Sequence, residues 1–150
     1  MSPKEYLLQV QTMDEKIRQR QQQLSELKAT MYGLKGSSIG EKVQSSVAGD
    51  AAFVHSIERM EAIEREISTL VANYMEKKNL IISQIQRLGN RSYMDLLYKR
   101  YIEYKRLELI AVEMHYSFVY IRRMHGWALL AFNRIILEGG NVKKTTFYKV

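Results

Sequence analysis

The chain has 150 residues, one proline, no cysteine and a formal net charge of +7. Its length fits one domain, or one domain with an appendage, and the absence of cysteine excludes a disulfide framework, a thiol nucleophile and a cysteine-ligated zinc site. With 26% charged and 46% hydrophobic residues, the chain is not compositionally disordered.

The opening residues Met1, Ser2, Pro3, Lys4 and Glu5 contain no apolar signal region. No run approaches the ~18 apolar residues of a membrane span. A soluble, cytoplasmic protein without a membrane partner is the expectation. The charge is uneven. Residues 1–88 hold 12 lysines and arginines against 11 acidic residues, and residues 89–150 hold 11 against 5. An excess gathered at one end suits a polyanion.

Ser2, Pro3 and Glu5 make a helix start, with a Ser-x-x-Glu capping box and proline at the first helical position. Val10, Ile17, Leu24 and Met31 then recur every seven residues, with Tyr6, Met13 and Leu27 on the companion position and Arg20 breaking that second series. This heptad seam predicts a coiled-coil-like helix over about 3–32. Residues 18–23 are all polar, mostly glutamine, and predict a weak point in the seam.

Residues 33–50 read as a flexible linker punctuated by Gly33, Gly36, Gly40 and Gly49. The segment holds neither GxxxxGK[ST] nor GxGxxG, so it is no phosphate-binding loop of those types. Asp50 is positioned to cap a second helix over about 51–88. There Phe53, Met60, Ile67, Tyr74, Ile81 and Leu88 keep the seven-residue period, with Ile57, Val71 and Ile85 beside them. Gly89 and Asn90 end it. Two such helices predict a long antiparallel hairpin. Their apolar stripes exceed what one partner helix covers, which predicts a homodimer or higher oligomer.

The texture changes from Arg91. Tyr93, Leu96, Leu97, Tyr101 and Ile102 give a short helix, and a helix-turn-helix pattern begins at Leu107. Its buried slots fall on Ile110, Met114, Tyr116, Ile121 and Met124, and the small slot at the crossing on Ala111. The turn slot holds His115, a residue type that tolerates positive φ better than most. Ser117 caps the second helix. That helix, about 118–138, is the candidate recognition helix. Ser117, Phe118, Val119, Tyr120, Arg122 and Arg123 stand as its DNA-contacting residues. Arginine bonds guanine bidentately or holds a phosphate, and Tyr120 suits a phosphate or a thymine methyl. Lys99, Arg100, Lys105 and Arg106 precede the motif and suit backbone phosphates. Trp127, Leu130, Ile135 and Ile136 are assigned to the core and His125 to a structural hydrogen bond. Residues 139–150, with Lys143, Lys144 and Lys149, read as a basic flexible tail.

The run from Tyr98, Lys99, Arg100 and Tyr101 through 109–114, Tyr116, Ser117 and 122–129 resembles the region-4-type domain of sigma-70 factors. It resembles more closely the small phage and prophage regulators of Gram-positive bacteria that carry such a domain behind a helical region, of the ArpU and RinA types. The resemblance is sharpest over about 98–132. It implies DNA-binding control of late phage transcription in a bacterial cytoplasm, with contact to host RNA polymerase as a further partner. His115 departs from the usual turn glycine, and Phe118, Val119 and Tyr120 are more apolar than a typical reading surface. Two alternatives stay open: a phage adaptor or inhibitor that binds a host protein, and a small-terminase-like DNA-recognition subunit. No HExxH, acidic metal cluster or GxSxG elbow occurs, and His55, His115 and His125 are scattered. The expectation is an all-α, non-enzymatic protein without a cofactor or metal, in which a helical hairpin (1–88) leads to a helix-turn-helix bundle (89–138).

Overall fold

The computed structural model describes residues 1–33 and 46–145. Among these the chain forms five helices and no strand: α1 (Pro3–Met31), α2 (Ser46–Gln86), α3 (Arg91–Tyr101), α4 (Leu107–Met114) and α5 (Phe118–Thr145). The fold is all-α, as the heptad patterns predict.

The capping box at α1 is reciprocal. The Ser2 backbone N–H donates to Glu5 Oε2 at 2.7 Å, and the Glu5 N–H donates to Ser2 Oγ at 3.2 Å. These bonds hold the Glu5 carboxyl below its ordinary range. Beyond α1, Gly33 sits at φ +67°, a conformation that costs glycine little and lets the helix end. The second helix starts at Ser46, not near 51, so Asp50 lies inside it and is not its cap. The physical reason is local. Ala48, Ala51 and Ala52 favour helix, no proline interrupts, and Gly49 costs only about 1 kcal/mol. The remainder of the expected linker, 34–45, lies outside the described residues.

The chain divides into two compact units, Met13–Asn73 on the one hand and Met1–Thr12 with Tyr74–Val150 on the other. The division thus falls within α1 and α2, where the sequence suggests a boundary near 88. In Met13–Asn73 the two helices run antiparallel. Arg20 pairs with Glu66 at 3.0 Å, and Lys28, further along α1, pairs with Glu64 at 3.1 Å. Among the described residues of this unit, Ile17, Met60 and Ile63 are the buried apolar ones. The polar stretch leaves a solvent-open cleft of about 500 Å³ lined by Lys16, Gln19, Arg20, Gln23, Glu66 and Leu70. Arg20, which breaks the heptad, fills its seam position by bonding Gln23 at 2.8 Å as well as Glu66.

The other unit draws the ends of both long helices into the core of the head, the bundle formed by α3, α4 and α5. Leu7, Val10, Ile81, Ile85 and Leu88 join Leu97, Tyr101, Ile102, Ala128, Phe132 and Ile135 in one buried cluster. The tilted Tyr6 and Phe132 rings stand 6.2 Å apart, and Tyr6 Oη donates to Gln84 Oε1 at 3.0 Å. This packing places the first turns of α1 with the head, because their apolar face covers α5. A second cluster joins Leu96 of α3, Ile110 and Ala111 of α4, and Ile121 and Met124 of α5. Asn90 caps α3 by accepting from the Tyr93 N–H at 3.1 Å. α5 runs on to Thr145, so residues 139–145, expected in a mobile tail, are helical. Glycine weakens a helix but does not clash in one, and 118–138 already anchor this one. Lys149 lies outside the described residues.

Candidate nucleic-acid interface

The α4 to α5 turn is built from backbone bonds. His115 adopts φ 59°, ψ 38°, and its N–H donates to Val112 O, while the Tyr116 N–H donates to Ala111 O at 3.0 Å. These two bonds make a Schellman closure, which requires a left-handed residue at the turn position. Ser117 Oγ accepts from the Tyr120 N–H at 3.2 Å and starts α5. Ala111 is buried at the crossing beside Ile121 and Met124, where a larger side chain would separate the helices. The left-handed state costs an L-residue about 1–2 kcal/mol, of which the extra chain entropy of glycine takes back about 0.5–1 kcal/mol. His115→Gly should therefore raise the melting temperature by about 1–4 °C, while His115→Val should lower it. Thermal denaturation of both variants checks the pair. A lower melting temperature for His115→Gly contradicts the strain argument.

The buried side of α5 is Ile121, Met124, Ala128, Phe132 and Ile135, spaced by three and four residues. The opposite side carries Val119, Arg122, Arg123, Gly126 and Leu130, all exposed. The Arg122 guanidinium lies 5.8 Å from the centre of the Phe118 ring, a cation–π contact that keeps it at the start of the helix. Ser117, Phe118, Val119, Tyr120, Arg122 and Arg123 thus share one exposed end of α5.

Three assignments change. Tyr116 is exposed rather than buried, with its ring 5.0 Å from that of Tyr120. Trp127 is 46% exposed and meets Tyr120 edge-on at 6.1 Å. Leu130 is 67% exposed. Helical phase is the cause: the core takes 124, 128 and 132, which turns 127 and 130 away from it. Ile135 is buried and Ile136 half-buried, as assigned. Val112 on α4, 72% exposed, adds to the apolar surface and carries no sequence signal that separates it from its buried neighbours.

The four basic residues before the motif differ in what they hold. Lys99 Nζ is 2.8 Å from Glu113 Oε2, and Lys105 Nζ is 2.9 and 3.0 Å from the two Glu113 oxygens and 2.9 Å from Glu103. Bonds from Lys99 and Lys105 hold the Glu113 carboxyl below its ordinary range. Arg100 Nη1 donates to the Lys105 carbonyl at 3.0 Å. The Arg106 side chain is 85% exposed, with Glu108 at 3.9 Å. Sequence spacing did not mark Glu113, because its partners come from α3 and the connector.

His125 Nε2 lies 2.9 Å from Tyr101 Oη, with the rings stacked at 5.8 Å. Burial, with the Arg100 and Lys4 charges, lowers the His125 pKa from 6.5, and burial pushes Tyr101 up to about 12. A histidine whose folded pKa is depressed is protonated first in the unfolded chain. Its stabilising contribution is therefore full above pH 6.5 and declines as pH falls below that value, until the folded-state pKa is passed. His125→Gln should abolish that part of the acid destabilisation, measured as melting temperature against pH for both proteins. Parallel curves contradict it.

Among the described residues no group of histidine and acidic side chains could hold a metal ion, and no helix is long and apolar enough to cross a membrane. Comparison with protein-family models, with curated proteins and with solved structures finds no match.

Proposed function

We propose that the protein binds double-stranded DNA through its α4 and α5 helix-turn-helix, as a phage-type transcription regulator acting as a dimer. The observation that carries this reading is the turn. A Schellman closure at His115 and a serine cap at Ser117 set α5 in a fixed relation to α4, and α5 presents Arg122 and Arg123 on the side away from the core. A recognition helix in a major groove meets bases with its first turns and phosphates with its flanks. The excess positive charge of residues 89–150 supplies the sequence-independent attraction. Phe53, Val54, Val71, Met75 and Leu80 of α2 remain exposed, and the dimer reading rests on a second copy covering apolar side chains of this helix. Control of late phage genes and contact with host RNA polymerase rest on the resemblance alone.

Fluorescence anisotropy of the full chain on duplex DNA, from about 50 to 200 mM salt, tests the DNA reading. Affinity should fall by orders of magnitude, with a log–log slope of about −0.9 for each phosphate neutralised. Light scattering on the same sample should give at least a dimer. A flat salt response moves the weight to a protein-binding head, a second reading favoured by the exposed Tyr116, Tyr120 and Trp127 row with Val112 beside it. A clean monomer at micromolar concentration rejects the dimer.

A further inference from the structure

We infer that Glu113 withholds Lys99 from the DNA backbone and so sets the level of sequence-independent binding. This rests on the DNA reading above and adds a residue with the opposite sign to it.

Two lysines from separate elements converge on one carboxylate. Lys99 comes from the end of α3, Lys105 from the connector before α4, and Glu113 from the last turn of α4. The three Nζ to Oε distances are 2.8, 2.9 and 3.0 Å. Lys105 has a second carboxylate in Glu103 at 2.9 Å. Glu113 is the acidic partner of Lys99. The lysine side chains are 27% and 28% exposed and that of Glu113 29%, so the cluster is open to solvent and to a competing anion. Partly exposed pairs of this kind add little to stability.

The place of the cluster gives it a bearing on DNA. Glu113 stands five residues before Phe118, and five residues span at most about 18 Å of extended chain. In a helix-turn-helix the first helix crosses the DNA backbone while the second lies in the major groove, and α4, which carries Glu113, is that first helix. A carboxylate is chemically the nearest side-chain equivalent of a phosphate oxygen pair for a lysine. While Glu113 holds Lys99, that lysine neutralises no phosphate and releases no counterion. The cost falls on all sequences alike, because a phosphate contact carries no base information.

The test uses the full chain and a short duplex of scrambled sequence, titrated by anisotropy between about 50 and 200 mM salt. Glu113→Gln frees Lys99 and leaves Lys105 with Glu103. It should bind scrambled DNA several-fold more tightly at the low-salt end and steepen the log–log slope by about 0.9, one phosphate contact. Adding Lys99→Gln to that variant should restore the parent slope. Glu108→Gln removes the same charge from the same helix, where Arg106 is already exposed, and should leave the slope unchanged. Lys99→Gln in the parent background, which does not depend on the glutamate variant folding, reads directly whether Lys99 contacts a phosphate while Glu113 is present. A parent slope made shallower by about 0.9 by Lys99→Gln would show that Lys99 already holds a phosphate and would overturn the inference. An unchanged slope in a folded Glu113→Gln variant would overturn it as well. If the parent binds no duplex even at the lowest salt, the DNA reading has failed, and the withholding role fails with it.

Discussion

Phe132→Ala should cost about 3–5 kcal/mol of stability, the largest loss expected from a single side chain in the head. Phe132 is fully buried and joins Leu7 and Val10 of α1, Ile81 and Ile85 of α2, and Leu97 and Tyr101 of α3 on one face of α5. Truncation removes the transfer free energy of the ring and leaves a cavity among side chains of α1, α2 and α3. Domains of this size are stable by about 5–15 kcal/mol, so the loss takes a large share of the total. Denaturant unfolding followed by tryptophan fluorescence should show a lower midpoint with little change in slope. Leu130→Ala on the same helix should stay within about 0.5 kcal/mol, because that side chain is exposed. A Phe132→Ala loss below about 1 kcal/mol would contradict the packing described above for α5.

Arg122→Ala should relax discrimination between a selected DNA site and scrambled sequence by about 1–3 kcal/mol. The guanidinium stands over Phe118 at the start of α5, where a groove-seated helix meets base edges. Arg123 lies on the same exposed side. An arginine that holds a phosphate instead weakens both DNAs equally and shallows the salt slope by about one unit, so the two roles separate in one data set. Competition anisotropy with each single variant, after confirming unchanged helicity and melting, makes the comparison. If both variants bind site and scramble as the parent does, α5 is not the reading surface. The aromatic row of Tyr116, Tyr120 and Trp127 then becomes the surface to test against proteins.

The two long helices, the capping box at Ser2 and Glu5, and the turn at His115 and Ser117 were legible because each depends on residues within one or two helical turns, although the seam members Phe53 and Val71 are exposed. The helical phase of α5 was only partly legible. Ile121 and Met124 were placed by the motif, but Trp127 and Leu130 look like core residues until the contact with α1 and α2 selects Ala128 and Phe132 instead. Tyr116 failed for a related reason, since a tyrosine satisfies an apolar slot or an exposed stack equally well by composition. Asp50 failed because a strong cap residue has no effect once the helix continues past it. Glu113 was invisible because its two lysines belong to other elements. The packing of the first turns of α1 with the head was also hidden, since a heptad pattern says that a face is covered and not which element covers it.

That packing has a consequence for the order in which the molecule can form. Tyr6 and Gln84 are 78 positions apart, and Phe132 stands further along the chain still. Chain leaves the ribosome at roughly 5–20 residues per second, so the first turns of α1 wait for seconds before their buried partners exist. During that interval Leu7 and Val10 have no core to enter. The helix-turn-helix cluster of Leu96, Ile110, Ala111, Ile121 and Met124 closes over short sequence distances, and local contacts form fast. The turn of the head thus depends on local contacts, whereas the docking of α1 against α5 is a long-range closure. Loop-closure entropy grows only logarithmically with the chain between the partners, so that closure is not prohibitive in free energy.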